Sequence, residues 1–419
     1  MRFLHGCVSR LLLFTCAYGV AAHAQTSVDL GVVIQSGVDR GVVLDVRKAS
    51  MLDPINQGGG FAYGPSIVKD GDYYHMFFCS AGRLDMSTGN PADGYEWDFI
   101  RHSVSRDGLT WTSPEIVLKP APRGPGSERS ACDPSVVKFK GEWYMYYGGN
   151  ADRYAGGIYV AKAASLWGKF QKWTGSGWVE NGVPKLIIAP KCPYATCLPA
   201  TDILRYGAGQ PTAVVKDGIV HLWYHDDTRT KEPHRRNYYS TSADGVTFSA
   251  GNQIFIDGSK DQIATKQVGD MYYATELAND DFPNTDNGEV KWDPLSNKFW
   301  MFQQRTFCPF IGVTPYPELK QVFGDLVRKL CLYSSVDGLN WVSRNKVVSS
   351  NPTIPLYASN IGVSADAQGW IDAAGFWVSM GVPWTDMPPQ LYQQNMATIS
   401  YGSKPMKKIP LALPFLGDE

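Results

Sequence analysis

The chain has 419 residues, with 39 basic against 40 acidic side chains and 13% aromatics. So balanced a charge excludes the electrostatic footprint that nucleic acid or an anionic membrane surface requires of its partner. The length admits one large domain or two smaller ones.

Taken from the N-terminus, Arg2 and Arg10 flank the apolar stretch LLLFTCAYGVAA, which ends in Ala22-His23-Ala24 before Gln25. This pattern predicts a signal peptide over 1–24 and a mature chain over 25–419, secreted or periplasmic. The apolar run is too short to span a bilayer, and no later segment reaches the ~20 residues needed. Two of the eight cysteines, Cys7 and Cys16, leave with the leader. Of the remainder, Cys192 and Cys197 bracket PYAT and are predicted to form a local disulfide. Cys308 with Cys331 could clip a long insertion, and Cys79 with Cys132 could bridge two repeats. No Cys/His spacing suggests zinc, so no metal site is expected.

Beyond the leader one pattern recurs: a small residue or Pro, a β-branched run, a Gly-bearing turn and an aromatic-rich strand. It reads PSIVKDGDYYHMFF from Pro65, PSVVKFKGEWYMYY from Pro134 and PTAVVKDGIVHLWY from Pro211. Weaker copies are VKWDPLSNKFWMF from Val290 and GVSADAQGWIDAAGFWVSMG from Gly362. A hairpin cannot bury its apolar face alone, so the copies must stack on one another. Three copies are followed by a second strand pair with an Asp-Gly turn at Asp107, Asp244 and Asp337, a turn chemistry suited to tight hairpins. The closing Trp111, Phe248 and Trp341 are expected to pack between sheets. These units predict an all-β, five-bladed β-propeller in a single domain, with blades near 60–120, 128–190, 205–260, 262–345 and 355–400. Residues 26–50 are expected to supply a ring-closing strand, and the hairpin-like QIATKQVGDMYYATEL to belong to the third or the fourth blade.

Aligning the copies exposes one column. The residue before the Pro is Gly64, then Asp133, then Gln210; carried into the fourth unit by its aromatics, the column falls on Glu289, and in the fifth on Asn360. Inner strands of a propeller begin at the central funnel, so these side chains are expected to converge.

At this point CDPSVVKFKGEWYMYYGG and YGPSIVKDGDYYHMFFCS resemble the blade-opening strands of the five-bladed glycosidase superfamily, which holds glycoside hydrolase family 43, the invertases, levansucrases and mannoside phosphorylases. The resemblance covers essentially the whole mature chain and implies a carbohydrate substrate or ligand, no organic cofactor, and room for a Ca²⁺ or Na⁺ ion at the ring centre. The family places an Asp at the opening of blade one, an Asp in blade two and an acidic Glu in blade three. Only Asp133 matches; Gly64 and Gln210 stand at the other two positions. Glycoside hydrolysis needs two carboxyls, about 5 Å apart for retention or about 6.5–9.5 Å for inversion. Asp133 as base or nucleophile and Glu289 as acid form the candidate pair. The competing assignments are a backbone cap for Asp133 with an ion pair for Glu289, to a base such as Arg129 or Arg305, or hydroxyl binding without chemistry. Candidate substrate-binding residues are Gln210, Arg129, His225, Asp226, Tyr63 and Trp97. Glu276 and Asp53 are reserve carboxylates, and Trp384 is a further stacking platform. The two functional expectations are a glycoside hydrolase and a glycan-binding propeller that has lost catalysis, in either case a monomer.

Overall fold

The computed structural model describes residues 62–81, 84–85, 90–91, 98–122, 126–150, 156–190, 207–229, 233–260, 262–263, 265–268, 271–274, 288–305, 329–350, 361–371, 376–381 and 403–409. Among these there is no helix, hence none long and apolar enough to cross a membrane. The leader, residues 26–50, Cys192 with Cys197, Cys308, Asp53, Glu276, Asn360 and Trp384 lie outside the described residues.

The repeats fold as hairpins that grow outward into sheets. The first blade comprises β1 (Ala62–Asp70), β2 (Tyr73–Ala81), β5 (Asp98–Ser105) and β6 (Glu115–Leu118), with the short ribbon β3 (Leu84–Asp85) and β4 (Asn90–Pro91) between β2 and β5. The second runs β7 (Cys132–Phe139), β8 (Glu142–Asn150), β9 (Gly156–Ala163), β10 (Gln171–Trp173) and β11 (Trp178–Val179). The third is β12 (Ala208–Lys216), β13 (Ile219–Arg229), β14 (Pro233–Ser242) and β15 (Asn252–Gln253). From there β16 (Phe255–Ile256) and β17 (Ser259–Lys260) cross to the outer edge of the fourth blade, while β18 (Gln262–Ile263) returns to pair with β14. The hairpin β19 (Thr265–Val268) and β20 (Met271–Ala274) forms a sheet of its own, so it is part of neither blade. The fourth blade is completed by β21 (Glu289–Asp293), β22 (Lys298–Arg305), β23 (Lys329–Ser335) and β24 (Asn340–Ser350).

The described residues thus form an all-β propeller with four blades, not the five expected. Among them the fifth copy supplies a three-stranded sheet, β25 (Ile361–Val363), β26 (Phe376–Gly381) and β27 (Ser403–Ile409), in which β25 lies against β1 and against β21. The reason lies in what the copy spends its residues on. Where the other units have a tight turn, residues 364–371 run across the hub. The amides of Lys69, Lys138, Val215 and Trp292, one from each inner strand, donate to the carbonyls of Ala365, Ala367, Gln368 and Gly369 at 2.8, 2.5, 2.8 and 3.1 Å. Gly369, at φ +81°, is needed here: a Cβ would stand 3.0 Å from the carbonyl oxygen of Ala213.

Blades are sewn together by a second device. Each of the first three units has a hydroxyl residue after its Pro. Ser66 Oγ accepts the Val136 amide (3.0 Å), Ser135 Oγ the Ala213 amide (2.9 Å) and Thr212 Oγ1 the Val290 amide (3.1 Å). Between the sheets lie buried aromatic clusters, such as Trp223, Phe299 and Trp341 between the third and fourth blades. The Asp-Gly turns are structural, as expected. Asp107 Oδ1 accepts the amides of Leu109 and Thr110 at 2.8 Å, and these donors, Thr110 first, bring its carboxyl down to about 2. Trp341 reaches back to its own turn at Gly338, whose carbonyl also takes the indole N–H of Trp223 from the preceding blade at 2.7 Å.

Candidate functional site

A small cavity, open to solvent, sits where the inner strands begin. Gly64, Asp133, Gln210 and Glu289 all line it, together with the prolines that follow the first three, Thr212, Gly288 and Ile361. The strand openings aligned in the sequence therefore meet at one pocket. The backbone explains why these side chains turn inward. In each of the first three blades the inner strand is bulged just before the Pro, between Tyr63 and Ser66, Cys132 and Ser135, and Gly209 and Thr212. The bulged residues share one left-handed conformation, φ 59° at Gly64, 49° at Asp133 and 47° at Gln210. For Asp and Gln this conformation is unfavourable by roughly 1–2 kcal/mol, and such strain concentrates at functional positions.

Glu289 reaches the cavity from a different register. Counting back five residues from each hub contact gives Gly64 from Lys69, Asp133 from Lys138 and Gln210 from Val215, but Asn287 from Trp292. Asn287 lies outside the described residues, and Gly288 takes the place of the Pro. Glu289 instead holds the position of Ser66, Ser135 and Thr212, two residues further in. Both its oxygens are engaged. Oε1 pairs with the buried Lys291 ammonium, and Oε2 accepts the Thr212 hydroxyl at 3.0 Å. An ion pair was among the expectations for Glu289, and Lys291 supplies one. In the fifth copy Ile361 lines the cavity, and Asn360 lies outside the described residues.

Asp133 is held differently. Cys79 and Cys132 form a disulfide that joins the first two blades, the bridge left open by the sequence. The Asp133 amide contacts Cys79 Sγ at 2.7 Å. A further carboxyl, Asp98 at the start of β5, was missed because no motif marks it. It is 8% exposed, its Oδ1 has no hydrogen-bond partner, and its carbonyl accepts the Ala131 amide at 2.9 Å, two residues before Asp133. Burial, reinforced by the charge of Asp133, pushes the Asp98 carboxyl well above the usual carboxylate range. An acid whose burial favours its protonated form thus neighbours Asp133.

The other candidate residues lie away from the cavity lining or outside the described residues. His225 and Asp226 are fully buried, opposite Gly209 and Ala208, and do not line the cavity. β13 continues to Arg229 and keeps both inside the sheet. Arg129 is half-buried ahead of β7 and is likewise absent from the lining. Tyr63 lies on β1, but its side chain falls outside the described residues, as does Trp97. His102 is a core residue stacked on Phe77, and burial brings its imidazole down to about 3. The sole metal-like cluster among the described residues, Cys79, Cys132 and Asp133, has both sulfurs consumed by the disulfide.

No family model matches the sequence, and no curated protein matches it. In structure the chain is similar to Zg3597, a family 117 glycoside hydrolase from the marine bacterium Zobellia galactanivorans. That likeness has a TM-score of 0.51 and 13% identity, and covers 91% of this chain and 92% of the other. The catalytic domain of a GH62 α-L-arabinofuranosidase from Coprinopsis cinerea gives a TM-score of 0.50 at 11% identity, over 89% of this chain and 98% of that one. A GH62 hydrolase solved with xylotriose gives 0.50 at 11%, over 89% and 95%. At such identities the likeness establishes a shared fold.

Proposed function

We propose that this chain is a carbohydrate-active propeller that works as a glycoside hydrolase on an oligosaccharide or polysaccharide. The observation that carries the reading is that Asp133 and Glu289, from different blades, line one cavity at the hub. Propellers of the same fold include glycoside hydrolases of families 117 and 62. Asp133 is assigned as base or nucleophile and Glu289 as the second carboxyl, acting on the leaving group, with Gln210 contacting sugar hydroxyls. The sheet of β25, β26 and β27 closes the ring of four blades between β1 and β21. Residues 1–24 act as a cleaved leader, and 25–419 form one domain, monomeric, in the periplasm or outside the cell. The Cys79–Cys132 disulfide supports an oxidising compartment.

The test is reducing-sugar release from a panel of plant and microbial oligosaccharides. Asp133→Asn and Glu289→Gln should each lower turnover by at least about 10²-fold, the lower end of what a positioned acid or base contributes. Activity untouched by both substitutions would remove the assignment.

A second reading, glycan binding without turnover, draws on Gly64 and Gln210 at the axial column and on Glu289 being held by both Lys291 and Thr212. Saturable binding of panel sugars with no product from any of them would select it.

A further inference from the structure

We propose that the Cys79–Cys132 disulfide is a positioning element of the cavity, which clamps Asp133 in its left-handed bulge and makes the site's competence depend on the oxidised state. Four observations carry this. Cys132 directly precedes Asp133, so the crosslink ends one residue from the cavity. Its other end, Cys79, pairs across β1–β2 with Tyr63, which precedes Gly64, so the bridge spans the seam at the level of the column. Cys79 Sγ takes the Asp133 amide at 2.7 Å and lies 3.8 Å from Asp133 Oδ1; the disulfide sulfur carries no proton, so the latter is a packing contact. On the other side, a Cβ at Gly148 would stand 3.8 Å from Oδ2, so the carboxylate is bracketed between β2 and β8.

The other blades act as internal controls. Gly64 adopts the same φ without strain, being glycine. Gln210 adopts it with Gly209 before it and no covalent tie. The crosslink therefore stands at the one column position that is both strained and charged. Opening it by thiol–disulfide exchange moves two electrons and two protons from a dithiol to Cys79 and Cys132, which become thiols, while the dithiol is oxidised to its own disulfide. That step frees the Asp133 bulge to relax.

The test uses the full chain with carbon-13-labelled aspartate. The Asp133 carboxyl resonance, assigned by its loss in Asp133→Asn, is followed through reduction with dithiothreitol. Its position and titration midpoint should shift while resonances of the third and fourth blades stay in place. An unmoved Asp133 resonance in reduced, folded protein would overturn the proposal. Should reduction unfold the chain, the oxidised Asp133→Gly variant decides. Glycine removes the strain that the bridge holds, so the equilibrium with dithiothreitol should favour the disulfide about five- to thirtyfold more than in the parent. An equal equilibrium in parent and variant would overturn the proposal. A third arm rests on the proposed hydrolase: Cys79→Ser/Cys132→Ser should lower kcat on 4-nitrophenyl glycosides at least tenfold with KM within twofold, and an unchanged kcat would also overturn it. A parent without turnover would remove the hydrolase reading and leave the first two arms to decide this one.

Discussion

Two buried charges show how single residues set the balance of this molecule. Glu128 and Lys172 form an ion pair in which both side chains are 0% exposed, with the ammonium also donating to the Lys119 carbonyl at 2.6 Å. Burial pushes the Glu128 carboxyl up and the Lys172 ammonium down, each opposed by the partner. Lys172→Met leaves an uncompensated carboxyl and should destabilise by about 3–5 kcal/mol; adding Glu128→Gln should recover most of it, as read by urea unfolding. Asp98 carries the opposite lesson. Its folded value is raised above the ordinary 3.8, so the folded state holds a proton that the unfolded chain gives up. Stability is then lost as pH rises from 3.8 toward the folded value, at about 1.4 kcal/mol per unit. Asp98→Asn should therefore be more stable than the parent at pH 7, with the gain vanishing below pH 4; a variant no more stable at pH 7 would contradict a protonated Asp98. Asp133 was legible in the sequence because Cys-Asp-Pro opens a repeat. Asp98 was not, because it starts a third strand and only tertiary burial gives it meaning.

At the scale of the strand, the hairpins and the Asp-Gly turns followed from local rules. The column before each Pro was readable too, but the bulges that turn it inward appear only in the strand pairing. The fourth unit defeated that reading for a geometric reason. Side chains on a strand alternate with a period of two, so a slip of two residues leaves every aromatic on its proper face. Without a Pro, nothing in the pattern distinguishes Glu289 from Asn287, and the hub contact of Trp292 is what sets the register. The hydroxyls of Ser66, Ser135 and Thr212 were present in the repeats, yet their role depends on neighbouring blades. Ser135→Ala leaves the buried Ala213 amide without its acceptor and should destabilise by about 1–3 kcal/mol in urea unfolding, while Ser135→Thr should cost less.

Across the whole molecule, one short segment explains both the blade count and the closed hub. Repeat counting treats every copy as a blade, but the last copy uses its connection as an axle. That axle bonds to one inner strand of each blade, and Trp370 adds an indole N–H bond to the Val215 carbonyl at 2.8 Å. The hub contacts stand five residues along the strands from Gly64, Asp133 and Gln210, so the axle supports the end of the hub remote from the cavity. Loops that shape specificity on such a frame are the parts least derivable from pattern. On the proposed function, the hub cavity is where sugar is bound and cut. The decisive measurement is a crystal structure of the Asp133→Asn chain soaked with an oligosaccharide. A sugar ring is expected in the hub cavity, with hydroxyl or glycosidic oxygens within hydrogen-bond distance of both residue 133 and Glu289. A sugar bound elsewhere on the molecule, with the hub cavity empty, would contradict it.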